Sequence, residues 1–199
     1  MDYRIQQIQK YFSKVQFQIL DENDLPVGQI FHQSTTTEIT LMKEPQDLHL
    51  FVEYLRDFQA RRTNPYKNIT KFPYDSYAFS GDLGEGRLFT RCIRHFLEAS
   101  FFSTLCYGNE VFEARGGGHD EKGTLSLILR GDGTQVGSIY KEFKVINDVH
   151  NFTLSLEDDR YLPEGVLLVV HRYLASYYNA EQTIKSESNF IPFEKSKDK

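Results

Sequence analysis

Along most of this chain apolar and polar residues alternate in short runs. Val15, Phe17 and Ile19 in "VQFQIL" fall at every second position, the pattern of a half-buried strand. "DENDLP" follows, where Asp and Asn close local turns and Pro sets a bend. Val27, Ile30 and Phe31 in "PVGQIF" begin a second strand, and "TEITLM" (37–42) is a third. Farther on, "NEVFEARGGGHDEKGTLSLILRGDGTQVGSIY" reads as strand, loop, strand, turn, strand. Its "GDGT" is a hairpin turn, because glycine takes positive φ without a Cβ penalty. "NFTLSL" is one more strand.

Two stretches depart from this rhythm and predict helices. In "EPQDLHLFVEYLRDFQARR", Leu48, Phe51, Val52, Leu55 and Phe58 recur at helical spacing, which predicts an amphipathic helix at about 46–62. Pro45 and the acidic start suit its first turn, and Arg56, Arg61 and Arg62 suit its end. "LPEGVLLVVHRYLASYYNAEQ" is apolar nearly all round, with Val166, Leu167, Leu168, Val169 and Val170 consecutive. A helix apolar on every side must be surrounded by protein or lipid, and this one falls short of the ~20 apolar residues of a membrane span. A closed sheet wrapped around it satisfies every face and removes exposed strand edges. Between the two, 63–107 reads as a connector. Within it, 87–106 fits a helix through Leu88, Cys92, Phe96 and Ala99, and its aromatics suit a strand equally.

"PVGQIF" and "QVGSIY" are near copies about a hundred residues apart. "FQILDENDLPVGQIF", "EITLM" and "DLHLFVEYLRDF" match "LSLILRGDGTQVGSIY", "FTLSL" and "EGVLLVVHRYLASYY" in order and approximate spacing. This predicts two pseudo-repeated halves, about 12–62 and 108–180, within one domain spanning 1–185, followed by a charged tail at 186–199. The fold class expected is α+β and β-rich. The two halves form a closed or nearly closed antiparallel β-barrel around a hydrophobic C-terminal helix.

These residues carry a family resemblance. "LSLILRGDGTQVGSIYKEF" followed by "FTLSLEDDRYLPEGVLLVVHRYLASYYN" resembles the tubby C-terminal-like superfamily, which includes the LURP-one-related proteins and the phospholipid scramblases. The second half carries the resemblance best, and 61–100 hardly contributes. The resemblance implies a β-barrel around a central helix. It also implies phosphoinositide binding in the case of tubby, and membrane association in the case of scramblases.

Composition narrows the function classes. The 199 residues are 40% hydrophobic and 26% charged, enough to bury a core, and the 16 Phe and 12 Tyr favour strands over disorder. A net charge of -5 gives no global reason to expect nucleic acid as a partner. Cys92 and Cys106 make neither a disulfide framework nor a CxxC site and fit a reducing compartment. "MDYRIQQIQKYF" lacks the apolar run of a signal peptide, so a cytoplasmic location is expected.

Candidate chemistry is sparse. "GGGHDEKGT" (116–124) has phosphate-loop spacing from Gly118 to Gly123, but Thr124 stands where a lysine is required. His119 and Asp120 alone do not make a metal site. Asp21 and Asn23 begin a calcium-like loop that then places Pro26 and His32 where Gly and Glu are needed. An acetyltransferase would need a glycine-rich turn after Ile139, and "YKEFKVINDVHNFTL" has none. The six histidines are scattered, and His171 reads as a core residue with Arg172 reaching the barrel rim. No cofactor, metal or catalytic residue is assigned. "ARRTNPYKNITK" holds Arg61, Arg62, Lys67 and Lys71 without an acid and is the candidate anion- or lipid-binding patch. The leading expectation is a non-enzymatic barrel that contacts an anionic membrane surface or a protein partner. The alternatives are a small apolar ligand-binding or regulatory module, and an acetyltransferase-like or other enzyme with a site assembled from scattered residues.

Overall fold

Twelve antiparallel strands close into one barrel in the computed structural model, which describes residues 1–11, 14–55, 76–95, 98–119, 122–142 and 149–178. The strands are β1 (Asp2–Tyr11), β2 (Lys14–Leu20), β3 (Pro26–Gln33), β4 (Thr36–Leu41), β5 (Leu48–Tyr54) and β6 (Tyr77–Gly81), then β7 (Gly86–His95), β8 (Glu98–Tyr107), β9 (Glu110–His119), β10 (Gly123–Arg130), β11 (Gln135–Glu142) and β12 (Asn151–Leu156). Each strand pairs with its neighbour in sequence, and β1 closes on β12 through Tyr3 opposite Leu154 and Ile5 opposite Phe152. The closing seam is tied at its end, where Met1 and Leu156 exchange backbone hydrogen bonds of 2.9 and 3.0 Å.

Alternation decides which side chains face inward. Val15, Phe17 and Ile19 of β2, Ile30 of β3, and Ile39 and Leu41 of β4 are all buried in one core, as the sequence pattern predicts. A barrel of eight strands already has room for its own side chains, and diameter grows with strand number. Twelve strands therefore leave a space that side chains alone do not fill. Helix α1 (Leu162–Tyr178) occupies it. Val166, Leu167, Leu168, Val169, Val170, Tyr173 and Leu174 are buried together with the strand residues. The predicted buried C-terminal helix is thus present, with Val166 to Val170 buried on every side.

Two expectations are corrected. The helix expected at about 46–62 is strand β5 over Leu48–Tyr54, paired with β4 and β6, while 56–62 lies outside the described residues. Leu50 and Val52 point inward and Phe51 outward, so the same residues satisfy period two. The stretch expected as a connector supplies wall: 77–107 contributes β6, β7 and β8, and the ambiguous 87–106 is strand wherever it is described. β1 was not foreseen.

The matched phrases "PVGQIF" and "QVGSIY" take the same place in two hairpins. Gly28 lies opposite Ile19 and Leu41, and Gly137 opposite Ile128 and Leu156. Each hairpin then shifts register by a bulge, after Ile19 in one and after Ile128 in the other. A Cβ on Gly28 would stand 2.7 Å from the Thr40 carbonyl oxygen, and one on Gly137 2.4 Å from that of Ser155. Glycine is required at both because a neighbouring backbone fills the Cβ position.

Because every pairing is antiparallel, the turns alternate between the two ends of the barrel. The turns at 21–25, 42–47, 82–85, 108–109 and 131–134, and the segment 157–161 that leads into α1, all lie at one end.

Candidate functional site

The interior is organised by polar side chains on α1 that meet partners on the wall. Glu164 in the first turn accepts a hydrogen bond from the hydroxyl of Tyr107, the last residue of β8. His171 Nδ1 lies 2.9 Å from Ser103 Oγ on β8. The Arg172 guanidinium donates to Ser126 Oγ on β10. Two wall serines among inward-facing apolar residues thus match the two polar positions in the middle of the helix. These bonds fix its depth and rotation, which apolar packing leaves loose.

Burial sets the electrostatics of this interior. Glu164 is 6% exposed. Its carboxyl group is raised above the ordinary range by loss of solvent, against the opposing hydrogen bond from Tyr107. Its Oε2 is buried with no hydrogen-bond partner. Burial, and then the bond to Glu164, pushes the Tyr107 hydroxyl well up. The Arg172 guanidinium is lowered to about 10 by burial and stays charged at neutral pH. Arg172 was expected to reach the barrel rim; its head bonds a serine of the wall instead.

A cavity of about 10 Å³ lies beside the helix, lined by Phe17, Ile30, His32, Val169 and Tyr173 among others. That is room for about one water molecule. His32 Nδ1 is 2.9 Å from Thr37 Oγ1, and desolvation lowers the pKa of its ring. The Tyr173 ring is met edge-on by Phe17 at 4.9 Å and by His150 at 5.3 Å.

On the outer wall, β9 carries a buried charge that sequence reading missed. Phe112 and Ala114 belong to the core, so Glu113 between them points outward, yet it is only 4% exposed. Arg91 of β7 donates to it at 2.5 Å and Arg115 at 2.7 and 3.0 Å. Arg115 also stands 5.4 Å over the Phe102 ring of β8. The acid and its two arginines link β7 and β9 across β8. The signal available was the pairing of Glu113 with Arg115 at a two-residue spacing, which places both on one face of a strand.

The sequence candidates fall as follows. Arg61, Arg62, Lys67 and Lys71 lie outside the described residues; the flanking Leu55 and Ser76 are joined by a backbone hydrogen bond of 3.0 Å. Gly116 and Gly118 of the glycine run are strand residues opposite Ser126 and Leu125. Asp21 serves its own turn, accepting from the Asn23 and Leu25 amides at 2.9 Å each. His32 and His171 are buried apart from one another, each against a hydroxyl residue. Cys106 is buried. Among the described residues no group of three His, Cys, Asp or Glu side chains could hold a metal ion. Compared with known proteins, the chain matches no family model, no curated protein and no solved structure.

Proposed function

We propose that this chain is a non-enzymatic binding domain that presents its outer surface and turns to a partner. The observation that carries this reading is the occupied interior: among the described residues the side chains of α1 pack into one core with those of the strands, and the cavity beside the helix is about 10 Å³. Ligand pockets for small molecules run to ~300–1,000 Å³, so a small apolar ligand inside the barrel is disfavoured. Glu164, His171 and Arg172 are each bonded to a residue of the wall, which disfavours a site assembled from them. The same reading takes the fold as tubby-like and β2–β4 with β10–β12 as copies of one unit, on their shared register.

Titration with a fluorescent fatty acid tests the filled interior. No saturable binding to the native protein is expected, and one-to-one saturable binding would overturn the reading. Anionic-lipid contact through Arg61, Arg62, Lys67 and Lys71 is tested separately by vesicle co-sedimentation with anionic and with neutral lipid. Contact through these residues is salt-sensitive and lost when all four are replaced by Gln. Binding that ignored both changes would place any membrane contact elsewhere.

A further inference from the structure

The end of the barrel at which α1 begins is a ring of carboxylates. Asp21, Glu22 and Asp24 stand in the first turn there, Glu44 and Asp47 in the next, and Asp82 and Glu85 in the third. Asp132 follows in the turn after β10, and Glu157, Asp158 and Asp159 lie between β12 and α1. Several have structural duties. Asp21, Asp82, Asp132 and Asp158 each accept a backbone amide. Arg4 pairs with Asp24, Arg130 with Glu110, and Arg160 with Asp158. Glu22, Glu44, Asp47, Glu85 and Glu157 have neither duty among the described residues, and Lys43 is the other cation of these turns.

Two further features mark this end as more than a solvated rim. Glu164 lies beneath it, more than nine-tenths buried, with Oε2 unpartnered and with the rim residues Glu110 and Lys43 among its electrostatic neighbours. Leu25 and Met42 stand within the ring at 59% and 52% exposure. The turns that carry them adjoin, since the Met42 amide donates to the Val27 carbonyl at 2.8 Å. Unneutralised carboxylates around bare apolar side chains complement a segment that is both cationic and apolar. They repel an anionic bilayer at this end.

We infer that this rim is a docking surface for a partner protein segment bearing lysine or arginine beside apolar residues. The apolar side chains of the segment cover Leu25 and Met42, and its cations pair with the ring. The inference rests on the outer-surface reading above and names the partner's chemistry.

The test is fluorescence anisotropy of a labelled peptide of alternating lysine and leucine against the full chain, at low and at physiological salt. A glutamate–leucine peptide serves as the reverse-charge probe. The triple variant Glu22→Gln, Glu44→Gln, Glu85→Gln is compared with Glu38→Gln, Glu53→Gln, Glu142→Gln, which removes the same charge from exposed sites on the wall and toward the other end. All six sites are exposed, and thermal melts verify that both variants fold. The rim variant weakens lysine–leucine binding about tenfold, since several modest pairs are lost together, and the second variant leaves it unchanged. Leu25→Ser with Met42→Ser weakens it independently of salt. Equal losses in both triple variants, no loss in either, or no binding at low salt would overturn the inference. The fatty-acid result would stand unaffected by any of these.

Discussion

Strands β2–β4 and strands β10–β12 are built alike, and the chain leaves them differently. In both, a hairpin bulged next to a glycine is followed by a third strand ending on a leucine, Leu41 or Leu156, opposite that glycine. After Leu41 the next apolar residues alternate with polar or outward ones, and the element that forms is the wall strand β5. After Leu156 they run consecutively from Val166 to Val170, and the element that forms is α1, inside the wall. One apolar face makes a strand that can divide core from solvent. Apolarity on all faces makes an element that can only be enclosed.

The two regions differ most in their fourth elements, β5 and α1. Leu168→Asp places a carboxylate where every face is buried and costs several kcal/mol, which rivals a typical total stability of ~5–15 kcal/mol. The variant is expected to be unfolded by circular dichroism. Phe51→Asp, at a 45% exposed outward position of β5, is expected to shift stability by no more than about 0.5 kcal/mol in urea denaturation. If both variants folded equally well, the contrast between wall strand and enclosed helix would be lost.

The glycines sharpen the likeness. Gly28→Ala and Gly137→Ala each force a Cβ against a carbonyl oxygen, and each is expected to cost roughly 1–3 kcal/mol. Gly137→Ala is the worse of the two, since its contact with backbone is 2.4 Å against 2.7 Å. Urea denaturation of both, in which either proved neutral, would show that the two hairpins are not held by the same constraint.

Two titrating groups give smaller effects of opposite sign, one from each region. The Glu164 carboxyl group titrates higher in the folded protein than its reference of 4.5, so the folded state holds the proton more tightly. Stability therefore falls as pH rises above 4.5 towards the folded value. Glu164→Gln removes that fall, and chemical denaturation between acid and neutral pH measures it. The His32 ring titrates lower than its reference of 6.5, so the unfolded chain takes up the proton first. Stability therefore falls as pH drops below 6.5, and His32→Gln flattens that limb. A wild-type slope retained in either variant would locate the titration elsewhere.

How much of this was legible in the sequence can be judged from particular residues. The hairpins at 15–31 and 125–140 and the enclosed helix showed because alternation and its absence report burial directly. β5 was misread because Leu48, Phe51 and Val52 fit a helical period as well as a strand period, and pairing with β4 and β6 decides between them. β7 and β8 were ambiguous because Phe89, Phe102 and Cys106 are buried in addition to the core residues Leu88 and Leu105, which blurs the alternation. In β1, Gln7 takes a buried place after Tyr3 and Ile5, which hides the strand. The bonds from Ser103 and Ser126 to α1 join residues far apart in sequence, and serine alone gives no hint of them. The acidic end is visible only once the topology brings its turns together.

Native-state hydrogen exchange over Val166–Leu174 tests the enclosure of α1 directly. Enclosure predicts that these amides exchange only when the whole barrel unfolds, with the denaturant dependence of the core strands. Exchange of the helix amides through a local opening, while β2–β4 and β10–β12 stay protected, would contradict it.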